Sequence, residues 1–381
     1  VLIAFSDTGG GHRAAARHLQ AALERADPSM EVQLADPYAL SQRWPFDRLQ
    51  AAYPKVVGQA SWLWRAGFRL SNTRPFTAIA QALAWPVLRS TFVALRAEYH
   101  PDVILSTHPL LASPLRRAFR DVPIVVVVTD LVSGHVSWYH PSASLVVTPT
   151  EAATAQALSL GVPRARVVEI GLPVGAECVV QPGDRPALAR DLGWSMTRPT
   201  LLLVGGGDGV GPLEAIARAV DAASLPCDLA IVTGRNASLA ERLRAHSWHG
   251  TVHVYGFVHH LGAMMRAAHA TVTKAGPGTI CEAFAAGCPL VLFGAIPGQE
   301  EGNVQLVETS GAGVWAPSPQ RVTEALRQWF TTAEPSMAWH RAAAAARRAA
   351  RPHAADEIAG RVMQLATAAP PAARVPSSPV S

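Results

Sequence analysis

Apolar residues along this chain fall into two patterns. Short continuous runs recur: Val1 to Phe5, Asp102 to Ser106, Ile124 to Val128, Leu145 to Thr148, Thr200 to Val204, Ala230 to Thr233, Val252 to Tyr255, Ala270 to Thr273 and Pro289 to Phe293. Runs of that length, apolar on both faces, predict central strands of a parallel sheet. Between them lie longer Ala- and Leu-rich stretches with helical spacing, among them one ending near Ala26, one following Thr150, Leu213 to Ala223, and Leu261 to Ala268. Alternation of the two predicts an α/β chain. The opening strand, Gly-rich turn and helix are repeated from Thr200, about 200 residues on, which predicts two Rossmann-like domains.

The first domain is expected over 1–173 and the second over 183–334, joined through Gly171-Leu172-Pro173-Val174-Gly175. Helical composition from Val322 to Ala368 is broken at Pro335 and Pro352, so 335–366 reads as C-terminal helices. Residues 367–381, with four prolines and little apolar content, read as a disordered tail.

Polar, Gly-rich turns follow the strands, and a parallel sheet delivers such turns to its carboxyl edge, where ligands bind. Lys274-Ala275-Gly276-Pro277-Gly278-Thr279 leads into a helix from Ile280, which presents free N–H groups and a positive dipole end to a phosphate. Thr279 and Glu282 have the spacing of a capping box. The next turn, Gly294 to Asn303, offers the amide and carboxylate groups of Gln299, Glu300 and Asn303, suited to sugar hydroxyls. Gly205 to Pro212, with Gly206 and Gly207, is a third Gly-rich turn.

In the first domain Gly9, Gly11 and Ala14 satisfy G-x-G-x-x-A, with Glu31 and Asp36 in range of a ribose, so an NAD-dependent oxidoreductase is one reading. His12 stands against it: an imidazole crowds a path that needs bare backbone. At the cleft its reference pKa of ~6.5 suits a general base. Thr107-His108-Pro109 and Thr129-Asp130-Leu131-Val132-Ser133-Gly134-His135, followed by Trp138, Tyr139 and His140, also fall at carboxyl ends of strands and so at the cleft. Asp130 is placed to orient either His12 or His135.

The net charge is +5 and the pI near 9.3, with no nucleic-acid-binding signature. The charge is concentrated: residues 43–96 carry eight basic side chains (Arg43, Arg48, Lys55, Arg65, Arg69, Arg74, Arg89, Arg96) against Asp47 alone. Interleaved are Trp44, Phe46, Tyr53, Trp62, Trp64, Phe68, Phe76, Trp85 and Phe92. Cations beside Trp and Phe predict a surface that dips into an anionic membrane interface. No uninterrupted apolar run approaches the ~18 residues of a bilayer span, and no signal peptide is read at the start. Cys178, Cys227, Cys281 and Cys288 have no metal or CxxC spacing and read as buried thiols of a reducing compartment. No DxD pair stands at a strand end to hold a metal.

The segments DTGGGHRAA, STHP, TDLVSGHVSWYHP, KAGPGTICEA and GQEEGNV resemble those of the monogalactosyldiacylglycerol synthase family, related to the N-acetylglucosaminyltransferase that completes lipid II. The resemblance covers both domains. It implies a GT-B fold, two Rossmann-like domains facing a central cleft, with donor in the second and lipid acceptor in the first. It implies His12 as the base, Phe257 and Val258 at the uracil, Glu282 at the ribose, Gly278 and Thr279 at the diphosphate, and Gln299 and Glu300 at the hexose. Gly206, Gly207 and Asn303 join that donor set, Asp130 joins His12, and Gly11, His135 and Trp138 are expected at the acceptor. Family members usually carry Arg where this chain has Gly175, so either another cation, Lys274 or Arg235, neutralises the diphosphate or donor affinity is weaker.

Residues and resemblance together predict an inverting, metal-independent transferase with no cofactor. It would move galactose or glucose from UDP to diacylglycerol at the inner, cytoplasmic face of the cell membrane. The alternative is a glycosyltransferase or nucleotide-sugar epimerase with a soluble substrate on the same fold.

Overall fold

Each apolar run forms a strand, and the strands assemble into two parallel six-stranded sheets. The structure is a computed structural model that describes residues 1–7, 10–48, 61–181 and 183–368, with the backbone alone at 47, 61–63 and 368. Gly9, Tyr53, Lys55 and the side chain of Trp62 lie outside the described residues; the tail expected from 367 is corrected at 367–368, which end the helix Ala354–Ala368, and from 369 it too lies outside them.

The first sheet holds β1 (Leu2–Ala4), β2 (Gln33–Ala35), β3 (Ile104–Ser106), β4 (Ile124–Val127), β5 (Leu145–Thr148) and β6 (Val167–Glu169) in the order β2-β1-β3-β4-β5-β6. The second holds β7 (Thr200–Val204), β8 (Asp228–Val232), β9 (Val252–Tyr255), β10 (Ala270–Lys274), β11 (Leu290–Gly294) and β12 (Gly313–Trp315), ordered β12-β11-β10-β7-β8-β9. Strand order reverses direction between β1 and β3, and again between β7 and β10. Those two points open crevices at the carboxyl edges. β2, β6 and β12 are three-residue edge strands, too short and too exposed to leave an apolar run in the sequence.

Both faces of each sheet are covered, as a parallel sheet requires. One face of the first sheet packs Leu2, Ile104, Ile124 and Val126 against Phe92, Phe119 and Trp138. The other packs Ile3, Leu105 and Val125 against Leu19 and Leu23 of the helix Gly11–Ala26 and Ile358, Ala359 and Val362 of the helix Ala354–Ala368. The chain therefore ends its described course back on the first sheet, where Arg25 also meets Asp356 at 2.7 Å.

Residues 61–99 form two helices, Ser61–Ser71 and Arg74–Tyr99. Neither holds an uninterrupted apolar run of bilayer length, yet the second passes a looser test for a membrane-crossing helix. Its 26 residues meet that test by length and composition, because Thr, Gln and Ser interrupt the apolar letters without adding charge. Only Thr77, Leu88, Phe92 and Leu95 are buried. One stripe thus docks on the first sheet's core, and Phe76, Ile79 and Leu83 face out, the last 74% exposed.

Candidate active site

The crevice of the second sheet is built by β7 and β10, which are neighbours. After β7 the turn Gly205 to Gly211 folds tightly on the turn after β8. A Cβ at Gly205 would meet the Gly209 carbonyl carbon at 2.7 Å, and one at Gly234 the Gly207 oxygen, so both positions need glycine. After β10 the chain enters the helix Pro277–Ala285 with Gly276 as N-cap and Pro277 at the first position. The capping box is thereby corrected. Thr279 is the third helical residue, and proline at the first position sets the helix start earlier than the Ser/Thr rule predicts. Glu282 is released from any capping role.

Lys274, at the end of β10, extends between these two Gly-rich turns. Its Cε would be 3.9 Å from a Cβ on Gly206 and its Nζ 3.0 Å from one on Gly276. The ammonium pairs with Glu300 Oε1 at 2.7 Å, and the other carboxylate oxygen accepts from Ile296 N at 2.9 Å. Glu300 is nearly fully buried, 3% exposed. A lysine and a helix N-terminus facing open space above Gly278 make an anion site.

Arg235 lies beside Gly207, pairs with Asp208 at 2.9 Å and stacks 5.5 Å over the half-exposed ring of Phe257. Val258 packs into the core next to it. An aromatic face backed by a cation suits a planar base. Glu282 is part-buried in the cleft, and burial raises its pKa. Its ionisable neighbours are His18, from the first domain, and Glu177. His18 Nε2 lies 3.7 Å from Glu177, and its Nδ1 is 3.2 Å from the Pro173 carbonyl. Gly175 has no room for a side chain while the Glu177 carboxylate stands against it.

The turn after β11 closes the cleft from the other side. Gln299 donates to Asp130 Oδ1 across the domains at 3.3 Å. Asn303 donates to the Ala275 carbonyl at 2.9 Å, which ties this turn to the diphosphate turn. The side-chain oxygens of Gln299 and Asn303 are buried and accept no hydrogen bond. A buried acceptor without a donor costs about 1–3 kcal/mol, and hydroxyl groups of a sugar are suitable donors.

His12 is the second residue of the helix Gly11–Ala26 and faces the first sheet's crevice. Its Nδ1 lies 3.0 Å from Thr129 Oγ1, and its own carbonyl accepts from Thr107 Oγ1 at 3.0 Å. The ring meets His108 edge-on at 4.8 Å. Burial lowers the His12 pKa to about 4, while the Thr107 backbone and the Asp7 carboxylate pull it upward. Burial lowers His108 as well, aided by His12. His12 is therefore neutral at pH 7 and able to accept a proton.

Three expectations for the first domain are corrected. Asp130 does not orient His12: it accepts from Trp138 Nε1 at 2.7 Å and from Gln299. Both residues lie in the loop beyond the end of β4 at Val127, where Thr129 meets His12 and Asp130 meets Trp138. His135 is not open to an acceptor, because Nδ1 bonds Ser137 at 2.7 Å and Nε2 bonds Ser71 at 3.3 Å. Trp138 is fully buried and cannot line an acceptor surface. Gly11, in contrast, is exposed beside His12. Thr129, Asp7 and the His18–Glu177 pair went unassigned in the sequence; only Thr129's place beside Asp130 hinted at its role.

A family model described as monogalactosyldiacylglycerol (MGDG) synthase matches residues 12–174, and one for the glycosyltransferase family 28 C-terminal domain matches 200–352. A probable monogalactosyldiacylglycerol synthase of Glycine max is 35% identical over 87% of this chain and 65% of its own length. The chain thus spans a little under two thirds of that relative. Monogalactosyldiacylglycerol synthase 2 of Arabidopsis thaliana is 32% identical over 98% of this chain and 82% of its own. Among solved structures, Staphylococcus aureus MnaA with UDP superposes with a TM-score of 0.62 at 15% identity, covering 97% of this chain and 98% of that one. Acinetobacter baumannii MurG gives 0.56 at 14%, covering 95% and 99%. The fold is GT-B: two Rossmann-like domains across a cleft.

Proposed function

The chain belongs to the monogalactosyldiacylglycerol synthase family, and from that premise we propose that it transfers galactose from UDP-galactose to the free hydroxyl of diacylglycerol with inversion. The observation that carries this reading is the meeting of a neutral, part-buried histidine with an anion site and a sugar-suited turn across one cleft. The choice of galactose and diacylglycerol rests on the relatives' names.

In the proposed reaction His12 takes the proton of the acceptor hydroxyl as oxygen attacks the anomeric carbon. The imidazolium that forms is favoured by Asp7 and by the Thr107 backbone. The departing UDP gathers negative charge at the diphosphate, where Lys274, the amides of Gly276 to Thr279 and the turn at Gly206 and Gly207 stabilise it without a divalent metal. Phe257, Val258 and Arg235 hold the base, Glu282 the ribose, and Gln299 and Asn303 the hexose. Glu300 contributes through Lys274 and the Ile296 amide.

Diacylglycerol resides in a bilayer, and the helices at 61–99 provide a face to reach it. Leu70, Phe76, Ile79 and Leu83 are exposed, with Arg69, Arg74 and Arg89 beside them. Roughly 1 kcal/mol per cation near an anionic surface, added to insertion of these side chains, supports peripheral binding at a cytoplasmic leaflet. The test is a donor screen with diacylglycerol vesicles, with and without EDTA. UDP-galactose consumption that survives EDTA is expected. Transfer from UDP-glucose alone, or only to a soluble acceptor, would replace this reading.

A further inference from the structure

The turn that carries the proposed hexose contacts is gripped by the first domain from two sides. On one side Gln299 reaches Asp130, and a methyl group on Gly302 would collide with Val132 at 2.7 Å. The other side belongs to the helix Ser61–Ser71, which is part of neither sheet. A methyl group on Gly298 would lie 3.4 Å from Phe68 Cδ1 and 3.9 Å from Arg65 Cγ, so the helix covers the face of this glycine. Arg65 also approaches Glu301 at 3.8 Å.

Phe68 is fixed from behind. Its ring meets that of His135 at 5.5 Å and 67°, and His135 bonds Ser71 on the same helix. Val136 N donates to Asn72 Oδ1 at 2.6 Å, pinning the end of the helix to the strand loop after β4. The same helix exposes Arg69 and Leu70 to solvent. A single element thus bears a lipid-suited face and a contact with the sugar turn.

Resting on the function proposed above, we propose that Phe68, seconded by Arg65, is a positioning residue for the donor hexose: it braces the turn Ile296 to Gly302 from the opposite domain. The aromatic contact carries the greater part. An exposed ion pair at 3.8 Å contributes little, whereas a ring packed on backbone limits how far the turn can swing. A misplacement of about 1 Å costs a site much of its power. The residues proposed for uracil and ribose, Phe257 and Glu282, stand after β9 and on the helix after β10, outside the braced turn, so the brace acts on the sugar and spares the nucleotide.

The test compares the full-length wild type with Phe68→Ala, Phe68→Leu and Arg65→Ala. It reads hydrogen exchange at amides 296–302 and calorimetric affinities for UDP and UDP-galactose. Phe68→Ala should raise exchange in that turn and weaken UDP-galactose on the order of tenfold, with UDP held within about twofold. Phe68→Leu should recover most of both, and Arg65→Ala should stay within about threefold of wild type. Unchanged exchange in Phe68→Ala would overturn the brace. Raised exchange with UDP and UDP-galactose weakened equally would overturn its role at the sugar. Wild type binding neither nucleotide would overturn the donor assignment, and the exchange comparison would still decide the brace.

Discussion

Thr129 Oγ1 lies 3.0 Å from His12 Nδ1, and no carboxylate stands where an Asp–His pair would place one among the described residues. The hydroxyl fixes the ring without adding charge, so burial dominates and the pKa falls to about 4. The sign follows directly. Unfolded, the imidazole binds a proton below ~6.5; folded, it does so only below about 4. Between those values the unfolded state holds more protons, so stability declines as pH falls from about 6.5 toward 4. The acid limb of kcat/KM should likewise lie near pH 4 to 5, well below the usual histidine range, and proton NMR of the imidazole should show the same midpoint. A limb near 6.5 would refute the lowered pKa of His12.

His12→Ala should lower kcat by about 10²–10⁴, the usual contribution of a general base, with UDP affinity nearly unchanged. Thr129→Val should cost about tenfold in kcat, as loss of one hydrogen bond does, and leave the donor KM alone. If Asp130→Asn proved as damaging to kcat as His12→Ala while the donor KM held, Asp130 would be acting on the base and not on Gln299.

Glu282→Ala should weaken UDP by roughly 1.5–3 kcal/mol, as loss of hydrogen bonds to a charged group does, and leave Tm close to wild type. The helix Pro277–Ala285 starts without this side chain, so no cap is lost. Calorimetry together with a melting curve separates the two effects. A fall in Tm with unchanged UDP affinity would restore the capping role.

Much of this was legible because the strands are continuous apolar runs. Leu145–Thr148, Thr200–Val204 and Val252–Tyr255 fall where the pattern puts them, with turns that needed only their glycines to be recognised. What the pattern hides is direction. Thr129 and Asp130 are adjacent letters, and only the course of the loop after β4 sends one to His12 and the other to Trp138. His135 looks like a free cleft histidine until Ser71 and Ser137, distant and near in sequence, occupy both nitrogens. Pro277 defeats the capping box by a local rule that outranks it. The edge strands β2, β6 and β12 are half exposed, so no periodicity marks them.

Replacing Phe76, Ile79 and Leu83 together by Asp should abolish pelleting with anionic vesicles. All three are exposed on the helix Arg74–Tyr99 and leave its buried stripe intact. Each apolar side chain fully inserted is worth about 1.5–3 kcal/mol. Raising salt should weaken wild-type binding, since Arg69, Arg74 and Arg89 act through a screened potential. Turnover of a short-chain, dispersed diacylglycerol should survive the triple change. Vesicle binding that persists would move the membrane face elsewhere.

Lys274 and Glu300 form an ion pair whose acid is almost fully buried, and its two members should fail differently. Lys274→Met leaves a carboxylate in the interior with only the Ile296 amide to bond, and removing one partner of such a pair costs about 3–5 kcal/mol. Its Tm should fall steeply, and kcat should fall with it because the diphosphate loses its nearest cation. Glu300→Gln keeps the bond to Ile296 and frees the ammonium, so it should be milder in both. The double variant Lys274→Met/Glu300→Gln is the deciding case. It removes the stranded charge, so Tm should recover most of what Lys274→Met lost, a coupling of the sign a double-mutant cycle detects. Activity should not recover, since the lysine that stood between the turns at Gly206 and Gly276 to meet the charge on departing UDP is gone. Recovery of turnover along with Tm would mean that Lys274 serves only to hold Glu300, and that Arg235 neutralises the diphosphate.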